Sequence, residues 1–276
     1  MAVRALSIVI AALGAFHVAS FGQVVIYEVG WAGTVASGYD EWVELHNASD
    51  VPVDLAGWVL VIGEREIPLS GTIPPWGFFL LERTDDTTIS DVTADLIYKG
   101  AMPNGGTVLL LRDPEGEVVD SANLGMVGGW FAGDADRRAS MERISSELPD
   151  APIAWRTATE AKAVDAEGSP ILGTPGEENT ARGIAVPVVV SIPGPIFTGT
   201  VEISWETEGN VEALQTKIFV LPAGGTWTLV AEGLPPVGTY ELDTTSYPNG
   251  AVLIALGAFD ELGPRGGAVI SGEIAN

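Results

Sequence analysis

The chain has 276 residues, 13 lysines and arginines against 37 aspartates and glutamates, two histidines and no cysteine. That length holds about two domains, each able to bury its own core, and the missing cysteine removes disulfides, thiolate metal sites and cysteine nucleophiles. A net charge of -24 argues against nucleic acid as a partner, because binding a polyanion relies on lysine and arginine to release its counterions.

Residues 1–22 carry one arginine, Arg4, then an apolar run and the small residues Ala19, Ser20 and Gly22. This is the pattern of a secretory signal peptide. The run is shorter than the roughly 20 residues a spanning helix needs, so no transmembrane segment is expected after cleavage near residues 20–22. Cleavage leaves 12 basic against 37 acidic residues, a net charge of -25, and a secreted, extracellular or cell-surface location is expected.

With 34 glycines, 18 prolines and short runs of Val, Ile, Thr and Trp, the remainder predicts turn-rich, all-β structure. Residues 24–29 form a strand with Ile26 and Glu28 on one face. Residues 40–62 are two strands around a polar turn: Glu41, Val43 and Leu45 share one face of the first, Trp42 and Glu44 the other. Asn47, Ser49, Asp50 and Pro52 supply the turn. Residues 71–77 form a rigid turn because two prolines fix their φ angles, and residues 78–81 a buried strand. Further strands are expected at 96–98, 107–111, 118–119 and 140–144. Seven or eight short strands divided by turn signals make a β-sandwich. Residues 159–183 turn polar and read as the end of that domain and a linker. From Ile184 a second set of strands begins, with Val201, Ile203 and Trp205 pointing one way and Glu202 and Ser204 the other.

No catalytic constellation emerges. His17 lies in the expected signal peptide, so a serine triad would have to be built on His46 alone; the plainer reading is a strand-end histidine touching solvent. Glu41 with Glu44, or Asp134 with Asp136, could be drawn as the two carboxylates of a glycosidase, but no cleft-forming insertion accompanies them. The structural reading of Glu44 is a carboxylate satisfied by a backbone amide or an arginine. Arg143 is expected to meet a carboxylate such as Glu28 or Glu44. Asp85, Asp86, Asp91, Asp134 and Asp136 are candidate calcium ligands, since calcium takes carboxylate and carbonyl oxygens from loops. None has EF-hand spacing, and solvated acidic loops are the commoner case. No other cofactor is expected. Trp31, Trp76 and Trp130 sit near loops and would have to form an exposed flat platform for carbohydrate binding.

The segments D-E-W-V-E-L-H-N, V-D-L-A-G-W, F-F-L-L-E-R, N-G-G-T-V-L-L-L-R-D, S-M-E-R and G-T-P-G-E-E-N stand in that order over residues 24–179. Together they resemble a bacterial lamin tail domain. The resemblance implies an immunoglobulin-like sandwich, found in bacteria mainly on exported proteins, often beside nucleases, phosphoesterases or surface-attachment modules, and it implies no catalytic residues. In the second half, T-V-E-I-S-W, G-G-T-W-T-L-V-A-E-G-L-P, Y-E-L-D-T and Y-P-N-G resemble fibronectin type III or immunoglobulin-like modules.

The expected organisation is therefore a signal peptide at 1–22, a lamin-tail-like sandwich at 23–159, a domain tail and linker at 160–183, and an immunoglobulin or fibronectin-like sandwich at 184–276. The expected role is non-catalytic: binding, adhesion or scaffolding toward protein or polysaccharide of the envelope or matrix. The alternatives are an accessory or weak calcium-dependent hydrolase of phosphodiesters or glycosides, and a carbohydrate-binding module.

Overall fold

The computed structural model describes residues 23–276 and the backbone of residues 9–11 and 15–17, with the side chains of 183 and 184 excepted. The signal peptide read at residues 1–22 otherwise lies outside the described residues. The chain is all-β, as the sequence predicts, and builds two successive sandwiches.

In the first, a six-stranded sheet runs Leu96–Tyr98, Phe78–Arg83, Trp42–Asn47, Val24–Gly30, Met141–Arg143, Trp155–Thr157. It faces a four-stranded sheet ordered Val118–Ala122, Leu109–Arg112, Val59–Ile62, Arg65–Pro68. Alternation along the strands sets Val43, Leu45, Phe79 and Leu81 of one sheet against Leu60, Ile62, Leu109 and Leu111 of the other.

Strict alternation fails in one place. The pairing of Val24–Gly30 with Trp42–Asn47 shifts register between Ile26 and Glu28, a β-bulge. Ile26 and Val29 therefore stay in the core while Tyr27 and Glu28 both turn to the outer face, which separates the Ile26 and Glu28 expected to share one.

Arg143 also departs from expectation. It alternates with Glu142 and points into the sandwich, whereas Glu28 and Glu44 lie opposite Glu142 on the outer side. Arg143 instead pairs with Asp120 through both nitrogens, at 2.5 and 2.9 Å, donates to Ile26 O at 2.9 Å, and lies over the Trp155 ring. Asp120 belongs to the opposite sheet, so the pair pins the two layers together.

The second sandwich sets Val188–Ser191, Thr200–Thr207, Val237–Asp243 against Ile196–Phe197, Gly263–Ile274, Gly250–Asp260, Gln215–Pro222, Thr228–Leu234. Its core holds Phe197, Ile203, Trp205, Ile218, Val220, Ile254 and Leu256. The five-stranded sheet is buried on its other face too, where Leu221, Leu253, Ala255 and Val269 pack on Ala151 and Ile153 of the first sandwich. Gly257 and Gly267 pair across the strands, and a Cβ on either would fall 2.7 or 2.4 Å from Ile153. The paired glycines are thus a socket for Ile153. At its rim Arg156 binds Asp260 through two nitrogens and Pro264 O.

Residues 160–183 do not hang between the domains. Ala161–Val164 and Pro170–Leu172 form a hairpin over Trp42, Leu80 and Ile89, and residues 173–181 then cross the outer face of the six-stranded sheet as a strap.

Candidate functional site

One end of the first sandwich is formed by two turns, residues 47–54 and 74–77, and Asn47 ties them together. Its side chain is fully buried. Nδ2 donates to Val51 O at 2.7 Å, Pro74 O at 2.9 Å and Ile73 O at 3.3 Å, and Oδ1 accepts from Ser49 N and Oγ. Every polar atom of the amide is used, so neither turn can move without breaking a buried hydrogen bond.

The clamp presents Trp76. Its N–H donates to Ser49 O, Gly77 N donates to Pro74 O, and Pro75 fixes the preceding φ. Trp76 has φ 56°, in the left-handed region that usually takes glycine at the third position of a turn. A bulky side chain there is strained. It nevertheless stands 60% exposed, with Val51 also exposed on the neighbouring turn. A large apolar ring fixed outward at a conformational cost is suited to contact with a partner.

The other two tryptophans singled out from sequence do not join it. Trp31 and Trp130 are buried, stacked with ring centres 5.7 Å apart, and donate to Ala132 O and Pro103 O. The three form no exposed platform. His46 is not at the surface either: it is buried between the rings of Tyr27 and Phe78 on the neighbouring strands, its Nδ1 lies 3.1 Å from Gly77 O, and burial holds its pKa below the ordinary value.

The acidic loop residues are spread out. Asp85 accepts from Thr87, Asp86 from Ala94 N, and Asp91 from Val164 N, while Asp134 caps its own turn through Asp136 N and Arg137 N. Asp136 is exposed. Among the described residues no three Asp, Glu or His side chains gather as a metal-holding group.

Glu41 and Glu44, the other acid pair, point to opposite sides. Glu41 meets Arg83 Nη1 at 3.0 Å and Met102 N at 2.6 Å, and burial raises its pKa to about 7. Glu44 accepts from Gly176 N of the strap. It belongs to a row that lies straight across the outer face: Arg156, Glu142, Glu28, Glu44 and Leu80 stand opposite one another on successive strands. The three glutamates are buried, and each accepts a backbone N–H of the strap. Thr174 N donates to both oxygens of Glu28, at 3.0 and 3.1 Å, and Ala181 N to Glu142 at 2.9 Å. Sequence reasoning reached Glu28 and Glu44 and assigned the strap's segment to the end of the first domain, but missed Glu142 and the row that the strap covers. Its one available signal was the G-T-P-G-E-E-N segment, whose partner no local pattern identifies.

The family described as Lamin Tail Domain matches residues 17–125. No curated protein matches the chain. Among solved structures, a tetra-tandem repeat from the extending region of a large adhesion protein shares 14% identity over 92% of this chain and 72% of that one, with a TM-score of 0.23. A structure described as a putative β-galactosidase from Bacteroides fragilis shares 9% identity over 94% of this chain and 36% of that one, with a TM-score of 0.20. Neither score carries an argument about fold or function.

Proposed function

We propose that this protein, whose residues 17–125 match the lamin tail domain family, is a non-catalytic binding or scaffold module that meets its partner at the end built by residues 47–54 and 74–77. One observation carries the reading: Trp76 is held outward in a strained conformation by a saturated buried clamp. Rigid presentation lowers the ordering entropy that a contact residue would otherwise lose on binding, and tryptophan is the residue type most enriched at energetic centres of interfaces. The expected setting is the cell surface or extracellular matrix, with a protein or polysaccharide of the envelope as partner.

The test is retention of the full chain on envelope and matrix fractions, with and without EDTA, for the wild type and Trp76→Ser. Retention that Trp76→Ser abolishes supports the proposal. A wild-type protein that stays free in solution, or a variant retained equally well, overturns it. Loss of wild-type retention in EDTA would bring calcium into the contact.

A further inference from the structure

The outer glutamate row is not part of the Trp76 end, and its composition is hard to reconcile with a purely structural seam. Three carboxylates stand side by side on adjacent strands, all out of water. Among the described residues, Arg156 is the one cation in the row, opposite Glu142 at its end, and its guanidinium is committed to Asp260 across the domain seam. Buried like charges at that spacing cannot all ionise.

The strap is fastened to this row almost wholly by polar contacts. Glu28 accepts from Thr174 N and Thr174 Oγ1 of the strap and from Ser140 Oγ beside it, Glu44 from Gly176 N, and Glu142 from Thr180 Oγ1 and Ala181 N. Gly173 passes so close that a Cβ would lie 2.6 Å from Glu28 Oε1, so the strap admits no water layer there. Glu44 Oε1 is buried with no hydrogen-bond partner, an atom whose charged form is costly.

We propose that the Glu142, Glu28, Glu44 row is a proton-loaded latch: residues 173–181 stay docked while the row retains a proton and are released as it is lost. Docking takes the carboxyls out of water, and release returns them to it. The docked form therefore binds the proton more tightly than the released form.

The surrounding groups agree. Burial and then the Glu142 charge raise the pKa of Glu28 to about 8, against the donors that favour its ionised form. Burial and then the Glu28 charge hold Glu44 well above the ordinary range, with Asp95 and Glu178 adding to it. Burial raises Glu142, with Glu160 adding and Arg156 opposing. The remaining neighbours do not reverse this: Glu178 is engaged by Tyr27 and Arg182, and burial disfavours the charged form of His46. Strap stability is therefore complete below the ordinary carboxylate range and falls as pH rises toward about 8.

Hydrogen exchange at the amides of 174, 176 and 181 in the full chain reads the latch directly, because those N–H groups are the ones donated to the row. After correction for the intrinsic rate, exchange should speed by at least about tenfold between pH 6 and pH 9, since each pH unit between the docked and released pKa is about tenfold in the opening equilibrium. Glu44→Gln keeps the shape, accepts Gly176 N and removes one charge, so it should flatten this rise; Glu28→Gln serves the same purpose if Glu44→Gln fails to fold. Corrected exchange independent of pH in the wild type, or an undiminished rise in the variants, overturns the proposal.

Discussion

The first sandwich and the contact between the two sandwiches are fastened by opposite means. Inside the first, whose two layers share an apolar core, the strap and the turns are fastened by buried charge and hydrogen bonds, with Arg143 on Asp120 pinning the layers, Asn47 between two turns, and three glutamates beneath the strap. Between the sandwiches, Ile153 fills a glycine socket among Leu221, Leu253, Ala255 and Val269, with Arg156 and Asp260 at the rim. Buried polar contacts are directional and fail when one partner is removed or changes protonation. Apolar packing is insensitive to pH and fails when volume changes. The same chain thus combines a proton-sensitive fastening and a proton-insensitive one.

The largest expected effect is on the polar side. Arg143→Ala leaves Asp120, largely shielded from water, without its cation and should cost about 3–5 kcal/mol in denaturant unfolding; an unchanged melting temperature would remove Arg143 from its role as a pin. Ile153→Ala empties the glycine socket and should cost about 2–4 kcal/mol, with scattering from the full chain showing a looser domain arrangement. If that variant also freed the strap, the two fastenings would not be separate. Asn47→Ala leaves buried carbonyls unpaired in both turns and should cost about 1–3 kcal/mol, together with a red-shifted and more quenchable Trp76 fluorescence.

Glu44→Gln should lie within about 1 kcal/mol of wild type at pH 6, where the row holds its proton. At pH 9 it should be the more stable protein, because the wild type has lost the contribution that protonation made. Pulse proteolysis at the two pH values checks the reversal. Trp76→Ser should change stability by less than about 0.5 kcal/mol, as expected for an exposed side chain, while abolishing retention on the partner fraction.

Most strands of the first sandwich were legible in the sequence because alternation and turn residues are local signals, and Val43 and Leu45 face the core as their spacing demands; the short strands Trp155–Thr157, Ala161–Val164 and Pro170–Leu172 lack that alternation and were not. Glu44 could be read as satisfied by a backbone amide, although nothing local identified that amide as Gly176. The failures have a common cause in long-range geometry. A single inserted residue at Tyr27 moved Glu28 to the other face, and alternation from that strand could not show it. Arg143 sits one residue from Glu142, yet that single step decides whether it meets Asp120 or the outer row. The seam was invisible because Gly257 and Gly267 look like ordinary strand glycines until Ile153, about a hundred residues earlier in the chain, lies over them. Trp76 was legible as a loop tryptophan but not as the exposed one of its three, since burial depends on what packs above the turn.

The central contrast is tested most directly by following two sets of amides in one sample: 174, 176 and 181 on the glutamate row, and Trp227, whose N–H bonds Gly125 O across the domain seam at 3.0 Å. From pH 6 to pH 9 the corrected exchange of the strap amides should rise by at least about tenfold while that of Trp227 stays level. A rise shared by both sets, or by neither, would contradict the account.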